Sequence, residues 1–172
     1  MGWRLKRNFK RDDDLILLQE AKLDKAQHDF YRVVKKEYQW NMSQSFFKGE
    51  NKISTGVITG HKAKSFEIKA LRTVDREPVL GTPKTAMLTK FDIKDSDKKL
   101  CVVNIHAINF VTPAIFNNHI LQIERELKKC KGPIIYAGDF NTWLKSKLTL
   151  LNLSAKRLGL TAVKFSNDTR AR

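Results

Sequence analysis

The residues able to do chemistry in this chain gather in three short stretches. The sharpest is Gly132–Asn141, Gly-Pro-Ile-Ile-Tyr-Ala-Gly-Asp-Phe-Asn. Its apolar run predicts a buried strand with Pro133 at the first position. The run stops at Gly138, which permits a tight backbone turn. Asp139 and Asn141 are two residues apart, so an extended chain points both the same way. A carboxylate and an amide thus stand side by side at the mouth of a strand. A plain strand followed by an Asx-turn accounts for the same residues. Two further stretches repeat the design. Residues 14–20 form an apolar run ending in Gln19 and Glu20, and residues 100–106 form one that puts Asn104 and His106 on one face. Side by side in one sheet, the three strands would bring Glu20, Asn104, His106, Asp139 and Asn141 together.

Gln19-Glu20, Asn104-Ile105-His106 and Gly138-Asp139-Phe140-Asn141 occur in the order seen in the endonuclease/exonuclease/phosphatase superfamily, which the chain resembles over nearly its whole length. That group includes pancreatic-type deoxyribonuclease, apurinic endonucleases, bacterial sphingomyelinases and inositol polyphosphate 5-phosphatases. The longer stretches Leu17-Leu18-Gln19-Glu20-Ala21, Asn104-Ile105-His106-Ala107-Ile108-Asn109-Phe110 and Ala137-Gly138-Asp139-Phe140-Asn141-Thr142-Trp143 look like a bacterial branch of it. The resemblance implies an α/β fold: a two-sheet β-sandwich flanked by helices, the deoxyribonuclease-like four-layer sandwich. Residues 1–172 would form one such domain.

Phosphodiester hydrolysis needs charge neutralisation on the phosphate, an activated water and a protonated leaving group. Glu20 suits Mg²⁺, which keeps several waters and often takes only one or two protein carboxylates. Mn²⁺ is the alternative ion. No His/Cys cluster suits zinc. The resemblance gives Asp139 the orientation of the attacking water. It gives Asn141 a hydrogen bond to the phosphorane-like transition state. His106 would contact phosphate or donate a proton, a role its ordinary pKa allows. Asn104, on the same face, would support it. The substrate would be a phosphate ester, most simply nucleic acid. A phosphomonoester or a phospholipid headgroup is the other substrate reading.

The formal charge is +15, from 33 Lys and Arg against 18 Asp and Glu. Such a field attracts polyanions. Its even spread along the chain is also what a lysine-rich solvated surface gives. Hydrophobic content of 41% is that of a globular domain. No apolar run approaches a membrane span, and the basic start has no apolar signal core behind it. Cys101 and Cys130 lack metal-ligand spacing, so two thiols in a reducing compartment are expected. Together these imply a cytoplasmic protein.

The elements between the three stretches must position them. Helical spacing of Leu23, Ala26, Phe30, Val33 and Val34 predicts a helix over 23–38 that carries His28. Trp40-Asn41 has the composition of a family catalytic pair but follows the Gln-Glu strand, so it is read as unrelated. Residues 53–59, 64–73 and 85–93 read as successive antiparallel strands, with Gly60-His61 in the turn between the first two. The 75–83 loop holds Glu77-Pro78. By resemblance Glu77 and Lys84 would lie near the substrate, but a plain surface loop is the stronger expectation. Thr112-Pro113 caps a helix with the stripe Ile115, Phe116, Ile120, Ile123 and Leu127, on which His119 is a surface or rim residue. Thr142 caps a second helix closed by Gly159, and 160–165 reads as a strand.

Two family elements have no counterpart in the sequence. These are an opening strand with a catalytic Asn and a closing strand-loop with an Asp-His pair. The fold is therefore expected to be incomplete at both ends. A catalytically impaired homologue that only binds metal or polyanions is the alternative to an active hydrolase.

Overall fold

The computed structural model of the chain describes residues 13–22, 36–48, 53–79 and 81–164. They form two β-sheets. The first holds β1 (Leu15–Lys22), β2 (Gln39–Lys48) and β3 (Ile53–His61) in the order β1-β3-β2, all antiparallel. The second holds β4 (Ser65–Arg72), β5 (Thr85–Asp92), β6 (Lys99–His106) and β7 (Ile134–Asp139) in sequence order. Its first three strands are antiparallel, and β6 and β7 are parallel. Two helices complete the described chain, α1 (Pro113–Leu127) and α2 (Lys145–Arg157).

The α/β sandwich expected from the sequence is present, but the strands are shared out differently. β1 lies in a different sheet from β6 and β7, so the three polar strand ends do not meet edge to edge. Nor do β3 and β4 pair: β3 runs through His61, and the chain then crosses to the second sheet. The period-2 pattern that marks a strand does not say which neighbour it takes. Residues 23–35 of the predicted first helix, with His28, lie outside the described residues.

A parallel pair cannot be joined by a tight turn, and α1 supplies the crossover from β6 to β7. Its start is as the sequence reads: Thr112 Oγ1 accepts from the Ile115 N–H at 3.4 Å, and Pro113 occupies the first turn. Phe116, Ile120, Ile123 and Leu127 are wholly buried against Leu88, Val103 and Ile105. Each such side chain contributes about 2 kcal/mol by leaving water. On its other face the second sheet meets the first through buried Met87, Phe91 and Val102 together with polar groups, including Ser43 Oγ with Thr85 Oγ1 at 2.7 Å. A smaller apolar cluster of Ala21, Ile58 and Met42 lies with the first sheet.

The second helix is tied to the first by a buried carboxylate. Glu124 accepts from Arg157 Nε at 2.9 Å and Nη2 at 2.6 Å, from Ser154 Oγ at 2.8 Å, and pairs with Lys128 Nζ at 2.8 Å. The Arg157 guanidinium, ahead of Lys128 and Ser154 and against the cost of burial, holds this carboxyl at about 2. Leu144, not Thr142, precedes the first turn of α2, and it has no side-chain cap. Gly159 closes the helix in the left-handed region, φ 68°. Residues 160–164 carry no regular structure, so the strand expected there is absent from them.

The two cysteines are not free. Cys101 and Cys130, 29 residues apart, form a disulfide. The cause is topological: the crossover returns the chain beside the start of β6, where the Cys101 N–H donates to the Pro133 carbonyl at 2.9 Å. Sequence spacing carried no sign of it. A loop of this length is expected to contribute about 3 kcal/mol. Reduction, or Cys130→Ser, should lower the Tm by about 5–10 °C. An unchanged Tm, with both thiols open to alkylation in the unreduced protein, would show that the bond does not form.

Candidate active site

The two sheets meet at the side chain of Asn104, which is fully buried. Its Oδ1 accepts from Gln19 Nε2 at 2.7 Å. Its Nδ2 reaches the carbonyls of Ile58 at 3.0 Å and Leu18 at 3.2 Å. These three residues belong to β1 and β3, so an amide on the second sheet serves the backbone of the first. It does so where the β1–β3 register shifts, between Leu18 and Ala21. A bulge of this kind bends a strand and re-aims a side chain.

The side chain re-aimed is Glu20. It sits within that register shift at φ 52° and is 71% exposed. Its Oε1 lies 3.7 Å from His106 Nε2. His106 is buried on β6, on the same face as Asn104. Burial first, and the Lys84 ammonium second, hold its imidazole below the usual value, against weaker pulls from Glu20, Asp139 and Glu77. The ring is therefore neutral near pH 7.

Asp139 is the register partner of His106 across the parallel pair. Both stand at carboxyl ends of strands, where open α/β sheets bind their ligands. Gly138 has φ 137°, and a Cβ there would lie 2.0 Å from the Ile105 carbonyl oxygen. Only glycine fits so close an approach. Beyond it Asp139 Oδ1 accepts from the Asn141 N–H at 3.0 Å, an Asx-turn. The plain reading of this stretch, a strand followed by an Asx-turn, is met by this geometry. Asn141 is buried with φ 49°. Its Nδ2 donates to the Ala107 carbonyl at 2.8 Å, which leaves one N–H for a ligand. Glu20, His106 and Asp139 therefore meet across the sandwich, with Asn104 beneath them and Asn141 linked through the turn.

Of the groups that frame this set, the resemblance put Glu77 and Lys84 near the substrate, whereas the loop they belong to read as plain surface. Glu77 is buried rather than on a surface loop. It accepts from the Asn109 N–H at 2.9 Å and Thr82 Oγ1 at 3.2 Å, and Lys84 Nζ lies 3.3 Å away. It therefore fastens the 75–83 loop to the segment after His106. Lys147 is also buried, with its ammonium 5.5 Å from the centre of the Phe116 ring. His119 is buried too, against expectation. Its Nδ1 accepts from the Ile108 N–H at 3.2 Å, and burial, then His106, lower its pKa to about 4. It stands three residues after Phe116 and four before Ile123, on the stripe that faces the core, and that spacing was legible. His61 ends β3 and accepts from Asn41 Nδ2 at 2.5 Å. Trp40-Asn41 thus lies on β2 of the first sheet, a strand the sequence reading did not assign.

Four non-glycine residues among those described have positive φ: Glu20, Asp95, Phe110 and Asn141. Asp and Asn tolerate that region, whereas Glu and Phe do so at a cost. Three of the four lie at this site, where strain is commonly stored.

The model of the Endonuclease/Exonuclease/phosphatase family matches residues 4–169. The chain belongs to this family. It is 36% identical over 164 residues to a UPF0294 protein of Vibrio campbellii, covering 94% of this chain and 55% of that one. It is 30% identical over 173 residues to a UPF0294 protein of Klebsiella pneumoniae, covering 96% and 60%. The chain thus spans little more than half the length of these relatives. Among solved structures, the human Nocturnin catalytic domain with bound sulfate matches with a TM-score of 0.64 at 17% identity, over 90% of this chain and 60% of that one. Sphingomyelinase C from Streptomyces griseocarneus gives 0.63 at 16%, over 87% and 61%. Beta toxin from Staphylococcus aureus with bound magnesium ions gives 0.62 at 16%, over 84% and 59%. At such identities they share the fold.

Two outcomes are expected. Asn104→Leu leaves the Gln19 amide and the Leu18 and Ile58 carbonyls without their partner, and should cost about 2 kcal/mol in urea unfolding. A cost below about 0.5 kcal/mol would remove Asn104 from its bridging role. The second outcome is acid sensitivity. The unfolded chain protonates His119 near 6.5, the folded chain only near 4. Stability should therefore be full above pH 6.5 and fall as pH drops from 6.5 toward 4. His106, also lowered, adds a slope of the same sign. His119→Gln should flatten the curve between pH 6.5 and 5, and an unchanged slope would refute the assignment.

Proposed function

We propose that this chain carries the active site of a metal-dependent phosphodiester hydrolase, nuclease-like in its preference. The observation that carries the reading is the meeting of Glu20, His106 and Asp139 at strand ends, with Asn141 fixed beside them. The donor set suits a hard cation. Glu20 offers an exposed carboxylate 3.7 Å from the His106 imidazole. Among the described residues no three His, Cys, Asp or Glu side chains form a metal-holding group, so an ion here would keep most of its water. Glu20 would hold Mg²⁺, or Mn²⁺ in its place, with water and substrate completing the coordination. When bound, the ion neutralises charge on the phosphate.

The chain's own residues supply the rest. Asp139 orients the attacking water, and its Asx-turn fixes the carboxylate for that task. The remaining Asn141 N–H stabilises charge on the phosphate as it builds. Neutral His106 hydrogen-bonds a phosphate oxygen, and Lys84 beside it supplies positive charge. The formal charge of +15 favours a polynucleotide over a phosphomonoester or a lipid headgroup.

One observation favours slow turnover, in the manner of an impaired homologue. Among the described residues His106 is the imidazole at the site, since His61 and His119 are buried in other contacts. The cytoplasmic setting rested partly on two free thiols. The Cys101–Cys130 bond supports an oxidising compartment instead. No helix among the described residues is long and apolar enough to cross a membrane.

The test is cleavage of single-stranded DNA and of bis-p-nitrophenyl phosphate with and without Mg²⁺. Turnover, even if slow, should need the metal. It should fall by about 10²-fold or more in both Glu20→Gln and Asp139→Asn. Cleavage indifferent to both substitutions would move the chemistry elsewhere. Metal-dependent DNA binding without any cleavage would leave the impaired homologue as the reading.

A further inference from the structure

The strain at Phe110 is not explained by any role so far. Its ring is 70% exposed, yet its backbone sits at φ 53°, where a bulky residue is rarely found. The neighbours hold it there. The Phe110 N–H donates to Asn109 Oδ1 at 2.9 Å, and the Asn109 N–H donates to buried Glu77 at 2.9 Å. Asn109 Nδ2 then donates to Asn141 Oδ1 at 3.0 Å. A second exposed ring ends at the same oxygen: Trp143, 73% exposed, donates from Nε1 to Asn141 Oδ1 at 3.3 Å. Two large aromatic rings are thus presented to solvent, Trp143 bonded to the Asn141 amide and Phe110 held by its backbone to Asn109, which bonds the same amide.

Exposed rings gain nothing from water, and a strained backbone that exposes one costs stability. Both are accounted for if the rings receive a ligand. We propose that Phe110 and Trp143 form a stacking site for the unpaired bases that flank the reacting phosphate of a single-stranded nucleic acid. Every base has a flat face, and stacking on aromatic side chains is how unpaired strands are held without regard to sequence. The electrostatics fit a strand of repeated charges better than a single headgroup. Lys84 stands beside His106, and from Pro83 a cleft of about 390 Å³ runs on between Arg72 and Arg76. The inference rests on the hydrolase reading for its phosphate, and its test separates the two.

Binding of the full chain to a fluorescein-labelled oligothymidylate should be compared with an abasic strand of equal length and charge, at fixed salt. The base-bearing strand should bind about tenfold tighter. Trp143→Leu should abolish most of that preference, and Trp143→Phe, which keeps a ring, should retain it. Phe110→Gly relieves the left-handed strain, so it should leave the Tm unchanged or higher while reducing the preference. Equal binding of the two strands, or no binding, overturns the proposal. So does a Phe110→Gly protein that loses its fold, because the ring would then be structural. Tighter binding to phosphatidylcholine vesicles than to DNA, weakened by the same variants, also overturns it and assigns the rings to a lipid surface. Metal-dependent cleavage of the abasic strand in any of these cases leaves the hydrolase reading standing.

Discussion

The amide of Asn104 is the contact on which the rest of the site depends. The two sheets of this sandwich bury Val57, Met87, Phe91 and Val102 between them, and at the candidate site they meet through polar side chains. There Asn104 bonds to the Gln19 amide and to the Leu18 and Ile58 carbonyls, beside the bulge in β1. A buried unpaired amide or carbonyl costs about 1–3 kcal/mol. The amide thus braces the strand beside the bulge that presents Glu20 toward His106. Electrostatics follow from the same arrangement. The acids, Glu20 and Asp139, stay in water, while the imidazole and the amides are buried. Charge is available to an incoming cation, and the neutral groups that would orient a phosphate are held rigid.

Much of this was legible in the residues themselves. Apolar runs that end in Gln-Glu, Asn-x-His and Gly-Asp-x-Asn predicted strands with chemistry at their ends, and each is a strand with those groups at its end. Thr112-Pro113 marked the start of α1, because the cap and the fixed proline φ act locally. Distribution between sheets was not legible. Strand periodicity reports which faces are buried and is silent on which strand lies alongside, so β1 was placed with β6 and β7 although it lies across from them.

Side-chain partnerships over long sequence distances were the other blind spot. Glu77 looked like a loop carboxylate because its partners Asn109 and Lys84 are distant or unremarkable in sequence. The cysteines looked incidental because a crossover helix, not a short spacing, brings them together. His119 differs from these, since its place on the apolar stripe of α1 was legible in the spacing. Phe110 and Trp143 stood within the quoted motifs, but sequence gives no hint that a phenylalanine will be held in the left-handed region.

The disulfide has a mechanical meaning apart from its contribution to stability. It fastens the start of β6 to the segment just before β7. His106 and Asp139 are at the opposite ends of those two strands. The pair is thus closed at both ends: the sulfur link holds one, and at the other the Ala107 N–H donates to the Asp139 carbonyl at 2.8 Å. A slide of one strand past the other would break that bond and put the wrong residue opposite His106. The gap between the imidazole and the carboxylate is therefore set by the strand register, and only side-chain torsions are left to change it.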